Sequence, residues 1–240
     1  ADGNSFPLPT DWGMLQGNAS HNGYSPLLLD ANQFSLRWEK NYSQDPGEMA
    51  TGANKVYSLI NNELYAVDSG TGELAWVKDF GSNFTLSPPS FSNGLVYMQS
   101  SYAANSQLYA LNPQTGMEVF TAAHNASSSL TNAPTIHGDF VAINGGQYGG
   151  MYAFNALNGT FLWSSTAADT GQWREAAIDD EYLFVVRNFN IYAVDRLSGV
   201  EAWSIPSSLQ HQSLIIGSQD NLITVGDSLS SFDIATRSLN

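Results

Sequence analysis

Acidic side chains set close together are the first candidates for chemistry in this chain, and Asp179, Asp180 and Glu181 form its one tight group. Paired carboxylates can move protons or ligate calcium when they converge on one point. Here the three are consecutive and lie between two short apolar runs, REAAI (174–178) and YLFVV (182–186), so a polar hairpin turn is the better reading. Asp45 and Glu48, which flank Pro46 and Gly47, read as loop residues for the same reason. His21, His124, His137 and His211 are scattered, with no His-x-x-x-His pair and no acid at ligand spacing, and no metal site is expected. The 240 residues include no cysteine, which excludes disulfides, thiolate metal sites and thiol catalysis.

The remaining candidates are binding residues. Trp173 stands beside Arg174 in a chain with only 8 Lys and Arg, and an indole next to a scarce guanidinium suits stacking or carboxylate recognition. Phe84, Tyr102, Tyr148 and His211 fall in comparable polar stretches and complete the candidate set. A second reading has Trp173 plugging a channel mouth while Arg174 offsets local acidity. Glu48 and Glu175 are the nearest acids; glycan hydrolysis would need their carboxyls about 5 to 10 Å apart.

The elements that must position these residues are announced by a repeat. ELYAVDSGTGELAW, QLYALNPQTGMEVF, MYAFNALNGTFLW and NIYAVDRLSGVEAW are variants of one phrase, with SLSSFD as a degenerate fifth. Tyr65, Tyr109, Tyr152, Tyr192 and Ser230 are equivalent, at spacings of 44, 43, 40 and 38 residues. A period of about 40 is that of propeller blades. Each phrase supplies an apolar strand, an Asp or Asn that can cap a turn, a Gly that tolerates positive φ, and an aromatic residue opening the next strand. Trp38, Trp76, Phe120, Trp163 and Trp203 are therefore docking pegs between sheets, each burying enough area to contribute roughly 2 to 3 kcal/mol.

Two short β runs precede each phrase, so the unit is a four-stranded antiparallel blade and the fold class is all-β. The last unit reaches ATRSLN without a recognisable fourth strand, whereas FSLRWEKNY (34–42) reads as a fourth strand that no other strand precedes. The expected architecture is a single β-propeller domain over 1–240. Residues 1–33 form a leader, blades span about 43–79, 80–122, 123–165, 166–205 and 206–240, and strand 34–42 closes the fifth. In such a ring the connections between blades, and between the second and third strands, gather on one face. The candidate binding residues fall there.

Composition narrows the partners. A net charge of −14 with 12% charged residues repels phosphate backbones and anionic membranes, and no apolar run reaches the roughly 20 residues needed to span a bilayer. Nucleic-acid binding and membrane insertion are excluded. The start at ADGNSF fits an exported, periplasmic or extracellular protein whose signal peptide has been removed.

The phrase A-x-[DN]-x-x-x-G-x-x-x-W resembles the tryptophan-docking repeat of quinoprotein-type (PQQ-like) β-propellers, and DWGMLQGNASHNGYSP (11–26) is similar to the leader before their first strand. Family members that act as dehydrogenases typically have eight blades, an adjacent cysteine pair packed on the quinone, a calcium ion and a catalytic Asp. Without cysteine and with about five blades, this chain is more similar to the non-catalytic members. The resemblance therefore implies a non-enzymatic, cofactor-free, monomeric module that binds a protein or peptide partner or serves as a scaffold. A carbohydrate-binding or glycan-hydrolysing propeller is the alternative, and quinone-dependent oxidation the weakest reading.

Overall fold

The computed structural model describes residues 11–14, 17–21, 32, 34–82, 85–101, 106–125, 132–145, 150–166, 176–187, 189–206, 214–216, 221–225 and 229–239. These form five antiparallel sheets in chain order. The first holds β1 (Met49–Gly52), β2 (Lys55–Ile60), β3 (Glu63–Asp68) and β4 (Leu74–Asp79). In the second the inner strand is split into β5 (Thr85–Leu86) and β6 (Ser90–Ser92), followed by β7 (Leu95–Ser101), β8 (Ser106–Leu111) and β9 (Glu118–His124). Pro88 and Pro89 cause the split, because a proline cannot donate to the ladder and is tolerated only on an edge strand. The third sheet contains β10 (Thr135–His137), β11 (Phe140–Asn144), β12 (Met151–Asn155) and β13 (Phe161–Ser165). The fourth contains β14 (Ala177–Ile178), β15 (Tyr182–Arg187), β16 (Asn190–Asp195) and β17 (Glu201–Pro206). The fifth contains β18 (Leu214–Ile216), β19 (Asn221–Val225), β20 (Leu229–Asp233) and β21 (Ser238–Leu239).

The repeat phrase is the same piece of geometry in each of the first four sheets. Ala66, Ala110, Ala153 and Ala193 pair with Trp76, Phe120, Trp163 and Trp203, and in every case the register shifts immediately after the alanine. The turn is built alike each time: Gly72 N–H donates to Asp68 O at 2.8 Å, and the equivalent bonds run Gly116 to Asn112, Gly159 to Asn155 and Gly199 to Asp195, each at 2.9 Å. The carboxylate or amide of the first turn residue accepts further N–H groups, as Asp68 Oδ1 does from Gly70 and Thr71. In the fifth sheet Arg237 holds the glycine place at φ 58° and donates to Asp233 O at 2.8 Å.

Every peg points forward, onto the turn of the sheet that follows. Trp76 Nε1 donates to Pro113 O at 2.9 Å and its ring lies over Gly116; Trp163 Nε1 donates to Arg196 O at 2.8 Å with its ring over Gly199. Phe120 covers Gly159 but has no N–H to offer. The carbonyl it would have met, Ala156 O, is taken instead by the Tyr97 hydroxyl at 2.8 Å.

This forward rule corrects the expected closure. Residues 34–42 form no strand and do not lie along β20; β21 takes that place, with Phe232 opposite Leu239 and Asp233 opposite Ser238. Trp38 sits instead on the first sheet, its Nε1 donating to Ser69 O at 3.0 Å and its ring over Gly72, while Lys40 Nζ reaches Gly72 O at 3.2 Å. The physical reason is that a peg seats on the carbonyl and bare Cα of the next turn in sequence, and for Trp38 that turn is 68–72.

Packing follows sequence order. One side of each sheet, carrying Tyr57, Tyr97, Ala142 or Phe184, meets the opposite side of its successor, carrying Val96, Val141, Leu183 or Leu222, and all eight residues are 1% exposed or less. Tyr57, Leu64 and Ala66 join Val96, Met98 and Leu111 in one such core, and Phe184 and Ala193 join Leu222 and Phe232 in another. At the two ends of the series Val56 and Ile223 hold the corresponding positions and remain half-buried.

The leader crosses the inner strands. Thr51 N–H donates to Trp12 O at 2.8 Å, Phe91 N–H to Gly13 O, Ile178 N–H to Ala19 O at 2.9 Å, and Ile216 N–H to Ser20 O at 2.9 Å. Inner strands expose unpaired N–H groups, and an open edge invites other strands. Trp12, Gly13, Ala19 and Ser20 each satisfy one such group, in four different sheets, while Met14 and Ala19 enter a core shared with Ile136 of the third.

Two outcomes are expected. Gly199→Ala places a Cβ 2.5 Å from the Trp163 ring at a φ of +71°, so it should cost about 1–2 kcal/mol through the backbone alone, and more through the displaced indole, in denaturant unfolding. Burial holds His21 and His124 at a pKa of about 4, below the usual 6.5. The unfolded chain therefore binds more protons between those values, and the stability present above pH 6.5 is lost as pH falls towards 4, on the order of 3 kcal/mol per histidine. Unfolding midpoints between pH 7 and 4.5 should fall for the wild type and fall less steeply for His21→Gln.

Candidate functional site

All six candidate binding residues, Trp173, Arg174, Phe84, Tyr102, Tyr148 and His211, lie outside the described residues, as does Glu175. The five docking residues are all described. What can be built is the frame around the loops. The strap residues Trp12, Gly13, Ala19 and Ser20 lie at the end of the inner strands where they turn into the second strands, so the free end is the opposite one. The first strands begin, and the second strands end, at that opposite end, as β14 and β15 do in the fourth sheet.

Three exposed apolar side chains mark this free end among the described residues: Met49 opening β1, Phe189 in the turn between β15 and β16, and Leu229 opening β20, at 54%, 48% and 75% exposure. Phe189 is the unusual one. Its φ is 60°, a left-handed conformation that bulky residues avoid. The equivalent stretch of the first sheet, between β2 and β3, is built of Asn61 and Asn62, a residue type that tolerates the conformation. The sequence signal was present, a phenylalanine where a hairpin turn asks for Gly or Asn, but the repeat logic passed over it.

The acidic group behaves as the turn it was read to be. Asp179 Oδ1 accepts the N–H groups of Glu181 at 2.8 Å and Tyr182 at 2.6 Å. Asp180 reaches across to His137 Nε2 at 2.8 Å, and that hydrogen bond, together with the imidazole's charge, lowers its carboxyl below the usual range. The three line a rim recess of about 400 Å³ with Tyr182, Trp203 and Arg237, whose guanidinium lies 5.4 Å from the Trp203 ring. Here the forward peg meets an arginine where the other sheets have glycine. With Asp179 and Asp180 engaged, the carboxylates do not converge on one point, and no group of three metal-ligating side chains exists among the described residues. Glu48 is exposed in the segment before β1.

Sheets joined by forward pegs around a strapped inner edge define a class, the β-propeller of the tryptophan-docking type. The family model described as outer membrane protein assembly factor BamB matches residues 27–176 and 149–239, and the chain belongs to that family. Solved structures with the same fold include BamB from Moraxella catarrhalis, at 17% identity and a TM-score of 0.64 over 80% of this chain and 59% of that one. Quinohemoprotein alcohol dehydrogenase from Comamonas testosteroni matches at 16% identity and a TM-score of 0.75, over 96% and 48%. A europium-containing methanol dehydrogenase matches at 15% and 0.68, over 98% and 58%. The chain thus spans about half to three-fifths of these structures. No curated protein sequence matches it.

Phe189→Gly should raise stability by up to about 1 kcal/mol, because the left-handed strain removed exceeds the entropy that glycine adds to the unfolded chain. A thermal melt that moves down instead would mean that Phe189 packs on the protein rather than facing outward.

Proposed function

We propose that the chain is a non-enzymatic, exported scaffold that binds a protein or peptide partner through its loop-bearing end. The observation that carries this reading is the family match across nearly the whole chain, to a model whose description is that of an assembly factor. Three features support it. The strap occupies one end of the inner strands, leaving the other for contact. Phe189, 48% exposed, is held there in a left-handed conformation that is costly for a bulky residue, and backbone strain of this kind is retained where a site needs it. Trp173 and Arg174 fall in sequence between β13 and β14, and a rigid frame carrying variable loops is the usual arrangement for recognition.

Oxidation is disfavoured by composition, since a chain without cysteine cannot supply the adjacent pair that packs on the quinone in dehydrogenases of this fold. An exported location is in keeping with the family description, which names the outer membrane.

The test is capture from a bacterial envelope extract with the tagged chain, followed by cross-linking. One partner should be retained by the wild type and lost from Trp173→Ala and from Arg174→Glu, with unfolding midpoints unchanged. Equal retention by both variants, or dye reduction after reconstitution with pyrroloquinoline quinone and calcium, would overturn the reading.

A further inference from the structure

Charge is spread unevenly along this chain. Residues 80–168, which supply the second and third sheets, hold only two of its 22 acidic side chains, Glu118 and Asp139, and none of its 8 Lys and Arg. Glu118 is paired with Lys78 of the first sheet at 3.0 Å, and Asp139 lies in the turn between β10 and β11. The outer rim of these two sheets is therefore nearly neutral, in a protein whose net charge is −14.

Apolar side chains stand on that rim instead. The Phe120 ring covers Gly159; Val119 beside that ring, and Leu157 and Phe161 on either side of that glycine, are all more than half exposed. Met117 and Leu162 extend the patch. Where the first joint has Lys78 and Glu118, two residues past one peg and two before the next, the second joint has Ala122 and Phe161. An exposed aromatic ring has taken the place of half an ion pair.

The backbone beside the patch is open as well. β13 is the outer strand of the third sheet, so one of its sides has no strand partner among the described residues. The other sheets guard the same edge: β4 contains Lys78 and Asp79, β9 contains Glu118, β17 contains Glu201 and Pro206, and β21 is two residues long. Charge, proline and shortness are the devices that keep an edge from adding strands. β13 reads Phe-Leu-Trp-Ser-Ser and has neither charge nor proline.

The charge pattern selects what can pair there. A basic partner is drawn to the turns and strands of the other sheets, where Asp68, Asp79, Asp195 and Glu201 lie, and an acidic partner is repelled by them. A second copy of this chain is acidic and carries the same neutral rim. A two-fold axis beside β13 sets one such rim on the other and keeps both sets of acids away from the contact.

We propose that two copies of the chain associate by antiparallel pairing of their β13 edges, covering Val119, Leu157, Phe161 and Leu162. The dimer replaces the monomer that the resemblance implies. Its contact lies on the rim rather than at the loop-bearing end, so this inference and the scaffold reading can fail separately.

Light scattering during size exclusion, on the full chain from about 5 µM to about 1 mM, is the test. The wild type should climb from 26.0 kDa towards twice that mass. Because like charges oppose the association, raising salt from about 0.02 M to about 0.5 M should lower the dissociation constant at least about threefold. Phe161→Glu, which copies Glu118 and Glu201 of the neighbouring sheets, should weaken the dimer at least about tenfold. Leu162→Lys should do the same although it reduces the net negative charge, with the circular dichroism spectrum and melting midpoint retained. Val77→Lys, at an equally exposed place on the guarded edge of β4, should leave the dimer intact. A wild type that stays monomeric at every concentration and salt, a dimer loosened by salt, one that survives Leu162→Lys or is lost in Val77→Lys, or masses beyond two copies would each overturn the proposal.

Discussion

An indole laid over a residue without a side chain, its N–H aimed at a carbonyl one step away, is the joint on which this molecule is assembled. The contact is possible only because the glycine at the turn has φ near +70° and presents a bare Cα; a Cβ there would stand 2.5 to 2.8 Å from the nearest ring atom. Turn, strand register and inter-sheet spacing are fixed together by that one contact. The register shift after each alanine brings the peg to the correct height on its own strand, and the Asp or Asn cap holds the receiving carbonyl in place. Lose the cap and the peg has no seat.

The joint tolerates substitution when its two parts are supplied separately. Phe120 provides ring and area but no donor, and Tyr97, from the same sheet, delivers the missing hydrogen bond to the same carbonyl. At the last joint the receiving glycine is replaced by Arg237, whose guanidinium lies near the face of Trp203 and trades bare backbone for cation–π attraction. Conservation of function at the joint, a covered ring and a satisfied carbonyl, matters more than identity of residue.

Much of this was legible in the residues. Period, strand order, turn chemistry and peg positions follow from Tyr65, Gly72, Trp76 and their equivalents, because each is a local event repeated several times. The place of residues 34–42 was not legible, because a pattern that identifies a strand's role does not say which sheet it serves. Trp38 looks like any other peg, and only the forward direction of the seats, visible once Ser69 and Gly72 are seen beneath it, assigns it to the first sheet. The strap was read as a leader and no more, since backbone carbonyls carry no sequence signature. The rim acids were read correctly because Asp–Asp–Glu between two apolar runs has an ordinary explanation in turn chemistry.

The strap also has a meaning in time. Trp12 and Ser20 leave the ribosome before any of the five sheets, yet Ser20 accepts its bond from Ile216 in the last of them. Local hairpins and pegs can form as synthesis proceeds, each sheet seating on its neighbour, but the leader has nowhere complete to lie until the fifth inner strand exists. Its contact with the fifth sheet closes a very long loop and belongs late on the folding route, as a final latch. Until then Ser20 must wait for its partner, and the inner strand edges the strap later covers are open to whatever else can pair with them.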